Sequence, residues 1–399
     1  MSIWVVCALA AAAVLLAAVL LAGSVRIRPG QGGSGFLREL LDPADVDLLA
    51  VAFDRSKTQA DLDGILQGFD FGKASLNRVL LLGHVLERRP DLNVPDSFQA
   101  RLQGGVVVSK LREEKLLGHL GRIAAAFGDA GIKPVLLKGG AMLFYRPDFP
   151  RWITDIDLMI PEDRFDEALT IATGLGYGFP TACEHSVDLY EPGTRESVVD
   201  LHRYLELCTG RERAFNEGLF KRGREVSAGS GAVCLLPSRE DLVFVELVNM
   251  FKNLTKDQAR QSTMAGFFDI DYLVNAGEFF DWGVVRGNAE KTGTGAQVRI
   301  VASLVASFLP DLLPKDWAGT LHVTPEEMEG TLLELRFHHK VLAKARDGFK
   351  TTRLGTSVQG EPGLLVSVWL RFFALVRRLT GSRFVKRLVL RTNDLFVKE

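Results

Sequence analysis

Two aspartates one residue apart, Asp155 and Asp157, interrupt the apolar run WITDIDLMI at 152–160. Alternate residues of a strand share a face, so the two carboxylates project together while Ile156 and Leu158 turn to the other side. Two like charges about 4 Å apart repel by roughly 4 kcal/mol at an effective dielectric of about 20. The flanks WIT and LMI are too apolar for a solvated edge strand, so the pair calls for a cation. Hard divalent ions take carboxylate oxygens, and magnesium keeps waters and substrate phosphates as its remaining ligands. A third acid, Asp200, interrupts the strand-like run VVDLHRYL. With its strand beside the first, three acids hold two Mg2+ ions, one activating the attacking oxygen and the other clamping the leaving phosphates.

Upstream, the buried-strand pattern KPVLLKGG ends in Lys138, Gly139 and Gly140. Glycines between a strand and a helix let backbone N–H groups approach phosphate oxygens at the positive end of that helix. Lys138 adds a point charge for the β/γ-phosphates. Arg151, four residues before Asp155, either sits on the triphosphate or pairs with an acid near the metals. His202 shares a strand face with Asp200 and is read either as a phosphate or acceptor contact or as a structural group.

The elements that position these residues follow from periodicity. Leu, Val and Phe recur three and four apart in 36–53, 60–69 and 74–89, and SKLREEKLLGHLGRIAAAFGDAGI at 109–132 is an amphipathic helix with Gly131 as its stop. The period then changes. A short strand meets the glycine turn, AMLFYR begins a helix, and WITDIDLMI is a strand ended by Pro161. EDRFDEALTIATGLG is a helix with acids in its first turn. Residues 184–205 contain two strands joined around EPGTRE. Helices return at 238–254 and 326–345. GLGYGF at 174–179 lacks the spacing and preceding strand of a dinucleotide loop and reads as a helix stop and turn.

The chain has 399 residues, 24% of them charged, and a net charge of −1, so no overall basic excess points to a nucleic-acid backbone. None of the four cysteines has metal or redox spacing. Residues 3–22 are apolar without a charge, long enough to span a bilayer, with Arg26 and Arg28 following. The tail at 363–391 carries seven positive charges and no acid among apolar residues, a pattern suited to an anionic membrane surface. Together these give the expectation of a single-span anchor in a bacterial inner membrane with a cytoplasmic catalytic domain. The alternatives for the N-terminus are a signal peptide, a mis-assigned start, or a cytoplasmic protein.

LKGGAML, then R-x-x-x-DIDLMI, a helix, and VDLH, in that order, resemble the nucleotidyltransferase superfamily of polymerase-beta-like fold. Within it the chain is most similar to an uncharacterised bacterial family with LKG, R-x-x-x-D-I-D-L and D-L-H motifs. The matching motifs cover about residues 134–204. The resemblance implies an α+β enzyme, with a small mixed β-sheet nucleotidyltransferase core flanked by N- and C-terminal helical regions. Its expected divisions are 1–30 (apolar segment and linker), 31–132 (helical), 133–237 (core), 238–360 (helical) and 361–399 (basic tail). It carries the metal and catalytic roles to Asp155, Asp157 and Asp200, with Asp200 helping to deprotonate the acceptor. Nucleotide binding falls to Lys138, Gly139, Gly140, Arg151 and His202. Lys138 departs from the superfamily, which usually has a hydrophobic residue in that slot. The implied reaction moves a nucleoside monophosphate from a nucleoside triphosphate to an unknown acceptor, an envelope or polysaccharide precursor if the membrane features hold. The alternatives are phosphotransfer on the same fold and a non-catalytic nucleotide-binding module.

Overall fold

The computed structural model describes residues 41–70, 74–147, 151–179, 185–207, 211–229, 231–254, 260–277, 279–314 and 317. The apolar run at 3–22, the helix expected at 326–345 and the basic tail lie outside them. The described residues belong to one compact unit.

Four described helices precede the sheet: α1 (Pro43–Phe53), α2 (Gln59–Gln67), α3 (Leu76–Arg88) and α4 (Asp96–Asp129). The first three start where the sequence supplies caps. Asp42 accepts from the Ala44 N–H with Pro43 opening the helix, Thr58 and Asp61 form a capping box, and Ser75 accepts from the Arg78 N–H. At 34 residues, α4 extends well upstream of the expected 109–132 and is about 51 Å long. Leu102, Leu116, Leu120, Ile123 and Phe127 form its buried stripe. It stops as expected near Gly131, at φ 73°, where the Ile132 N–H reaches back to the Phe127 carbonyl.

Six strands follow in one mixed sheet: β1 (Val135–Leu136), β2 (Ile156–Met159), β3 (Ser186–Tyr190), β4 (Ser197–His202), β5 (Arg224–Ser227) and β6 (Val233–Leu236). Their spatial order is β3-β4-β2-β1-β6-β5. α5 (Lys138–Tyr145) joins β1 to its antiparallel neighbour β2 and packs on β2. α6 (Phe165–Gly174) lies between β2 and the β3–β4 hairpin, and β4 runs parallel to β2. α7 (Arg213–Arg222) precedes β5. α8 (Arg239–Leu254), α9 (Arg260–Asn275), α10 (Trp282–Thr292) and α11 (Gly295–Ala306) follow the sheet. α4 packs against β4, β6 and α6, while α8 packs against α5, α9, α10 and α11. The buried strands and these helix faces enclose one core in which Ile156, Leu158, Leu136, Val199 and Leu201 have no solvent exposure. Each such side chain contributes on the order of 1.5–3 kcal/mol by leaving water.

Three differences from the sequence reading have local causes. β2 is shorter than expected, so Asp155 lies just ahead of it. α5 begins at Lys138, so both glycines lie inside its first turn and not in a turn before it. β5 and β6 carry no legible strand pattern, because REVS is mostly exposed and VCLL is mostly buried without alternation. The reading of 174–179 as a stop holds, with Gly176 at φ 91° after α6. Among the described residues no helix is long and apolar enough to cross a membrane.

Candidate metal and nucleotide site

β2 is an interior strand, and its parallel register with β4 pairs Asp157 with Asp200 and Met159 with His202. The sequence expectation that the third acid arrives on a neighbouring strand is thereby met. His202 Nε2 lies 2.9 Å from Asp157 Oδ1 and 3.0 Å from Asp200 Oδ2. The Lys138 ammonium donates to Asp157 Oδ1 as well, so one carboxylate oxygen serves two partners. One ligand-capable atom each from Asp157, Asp200 and His202 lie within 4.8 Å of one another. Asp200 Oδ1 is buried with no hydrogen-bond partner. Two carboxylates, one of them with an unpaired buried oxygen, and an imidazole that ligates as the neutral ring are a donor set that fits a divalent cation.

Asp155 stands apart from this trio. It is only partly buried, and the Thr154 hydroxyl donates to its Oδ1 at 2.8 Å. Arg112 on α4 holds the segment ahead of β2 against β4: it donates to the carbonyls of Ile153, Thr154 and Ser197 and pairs with Glu196.

The surroundings push these acids in opposite directions. Burial, then the charge of Asp157, raises the Asp155 carboxyl to about 6. Burial would raise Asp157 too, but Lys138 and then His202 hold it below the usual carboxylate range. Asp200 is likewise held down against burial by its bond to His202 and that ring's charge. Burial opposes charge on His202 and Lys138, yet the neighbouring carboxylates raise the pKa of both. Opposite charge nearby outweighs desolvation for Asp157, Asp200, His202 and Lys138, whereas burial prevails for Asp155.

The glycines act by closeness. A Cβ on Gly140 would sit 2.9 Å from Ile156 Cγ2, and one on Gly139 would sit 3.4 Å from Arg151 Nε. Their absence lets α5 press onto β2. The chain enters α5 through Leu137, whose N–H donates to the Asp157 carbonyl at 3.0 Å, and Lys138 adopts φ 46°. No side chain caps α5, and its hydrogen-bond ladder begins with the Ala141 N–H on the Leu137 carbonyl. The amides of Lys138, Gly139 and Gly140 therefore present the positive end of a helix beside the acids.

Arg151 is committed elsewhere. Buried, it pairs with Asp269 of α9, and its backbone carbonyl accepts from the Ser109 hydroxyl at 2.8 Å. Burial lowers its basicity, opposed first by Glu246 of α8 and then by Asp157. Of its two expected roles, the structure displays pairing with an acid. Sequence reasoning missed Asp269, Glu246 and Asp188. Asp188 faces Asp200 across the β3–β4 hairpin, and burial followed by Asp200 raises its carboxyl. The hairpin signal with an acid on each strand was enough to find it. Glu246, alone in the apolar run VFVELV, carries the same signal as Asp157.

The model of a family described as uncharacterised nucleotidyltransferase matches residues 77–310, more than half of the chain. Among solved structures, an antigenic nucleotidyltransferase-like protein from Paracoccidioides brasiliensis is similar at 13% identity and a TM-score of 0.36, over 52% of this chain and 92% of that chain. No curated protein matches.

Proposed function

We propose, on the premise that this chain belongs to the family of uncharacterised nucleotidyltransferases, that it transfers a nucleoside monophosphate from a magnesium–nucleoside triphosphate to an acceptor hydroxyl or phosphate. The acceptor oxygen bonds the α-phosphorus, the α–β bridging P–O bond breaks, and pyrophosphate leaves. Asp155, Asp157 and Asp200 would hold the metal, which when bound supplies charge neutralisation for the phosphates. Asp200 would take up the acceptor's proton. The α5 amides and Lys138 hold the β/γ-phosphates, since a helix N-terminus without a side-chain cap offers donors to an anion. His202 keeps Asp157 and Asp200 together. The observation that carries this reading is the placement of Asp157 beside Asp200 on parallel interior strands, at the uncapped start of α5.

The test combines binding and turnover. Thermal unfolding is followed with each nucleoside triphosphate and Mg2+, for the wild type and Asp157→Asn, alongside pyrophosphate release. Ligand at a hundredfold excess over its Kd adds about 2.7 kcal/mol of stability. A magnesium-dependent shift lost in Asp157→Asn, with pyrophosphate produced, is the expected result. Pyrophosphate release also separates nucleotidyl transfer from phosphotransfer and from binding without turnover. Absence of any shift with well-folded protein would sink the proposal.

A further inference from the structure

Resting on that reading, we propose that the Lys138 ammonium is a resident cation of the site, so that the acids hold one divalent ion and not the two expected from the sequence.

Lys138 has the one positive φ recorded for a non-glycine residue among the described residues, at 46°. Such a conformation is unfavourable for an L side chain and persists where its surroundings over-determine it. Here the Leu137 N–H is fixed to the Asp157 carbonyl on one side, and α5 begins at once on the other. The result is that the Lys138 side chain ends on Asp157, a direct ion pair inside the cluster.

A carboxylate that bridges two metal ions must give an oxygen to each. Asp157 Oδ1 already bonds both the Lys138 ammonium and His202 Nε2. A second dication on that oxygen would meet a fixed positive charge at contact distance, and in a buried site such repulsion is weakly screened. Within the cluster, Asp200 Oδ1 is buried with no hydrogen-bond partner, and the ammonium and the imidazole both fall on Oδ1 of Asp157 and not on its other oxygen. That leaves the acids room for one ion, on oxygens that the ammonium does not hold. Lys138 then does part of a second metal's electrostatic work, and it does so at any metal concentration.

The number of bound ions tests this without reference to turnover. The full-length chain is titrated with Mn2+ alone while free Mn2+ is read by electron paramagnetic resonance. One ion per chain is expected for the wild type and for Lys138→Arg, and two for Lys138→Met and Lys138→Gly. The glycine variant accepts a positive φ without strain, so it removes the ammonium even if the methionine variant folds poorly. Two ions on the wild type with the same count in Lys138→Gly would overturn the inference and leave the nucleotidyltransferase reading intact. One ion in every variant would overturn it too, because the ammonium would then exclude nothing. No Mn2+ on any of them would defeat both this inference and the metal-dependent reading.

Discussion

The tripeptide Asp-Ile-Asp occurs twice, at 155–157 and at 269–271, and the two copies do different things. At 155–157 it leads into β2, an interior strand, and its acids act on one another: the charge of Asp157 helps raise Asp155 to about 6. At 269–271 it lies on α9, where residues two apart point about 200° away from each other. There Asp269 pairs with Arg151 and Asp271 with Arg88. Both isoleucines are fully buried. The same three residues thus make a concentrated cluster on one element and two separate structural ties on the other. In this chain the strand period, and not the tripeptide itself, sets the acids side by side.

The largest effect follows from breaking the helical copy's inner tie. Arg151→Met leaves Asp269, 2% exposed, without its buried partner. Removing one member of a buried pair costs about 3–5 kcal/mol, to be read as a lower urea midpoint with unchanged slope. If stability is unaffected, Arg151 is held for a ligand and not for α9.

Acid pH probes the strand side of the comparison. His185, just before β3, stacks on the His202 ring at 6.3 Å. Burial, opposed by Glu206, lowers it from 6.5 to about 4. The unfolded chain therefore binds this proton more readily. The contribution of the neutral ring is whole above 6.5, declines as pH falls through that value, and levels off below about 4. The loss is roughly 3 kcal/mol at most. Stability measured from pH 7 to 4 should fall less steeply in His185→Gln than in the wild type.

The smallest effect belongs to the outer tie of the helical copy. The Arg88 side chain is 34% exposed, so the pair is screened and Arg88→Met should cost only about 1 kcal/mol. A loss as large as that of Arg151→Met would erase the distinction between the two ties.

Much of this was legible in the chain. Asp157 and Asp200 stand out because ionised groups interrupt runs that otherwise belong to a core, and the 184–205 hairpin placed Asp200 on a strand. What could not be read is long-range partnership. Nothing near Arg151 in sequence announces Asp269, more than a hundred residues on. The left-handed Lys138 is also silent, because an L side chain at positive φ is held there by its surroundings and not by local preference. β5 and β6 escaped because short strands give periodicity too few residues to act on.

The route through β1, α5 and β2 bears on how the site comes into being. Lys138, Gly139, Gly140, Asp155 and Asp157 lie within a span of 20 residues, joined by short-range contacts between α5, β1 and β2. Asp200 and His202 reach them only after the whole α6 crossover. Because closing longer loops is slower, the phosphate-facing half and its ammonium would form ahead of the half that brings the third acid. During synthesis, Asp157 would then have Lys138 as its counter-ion before β4 docks, so the chain need never hold that carboxylate in a forming core without a positive charge beside it.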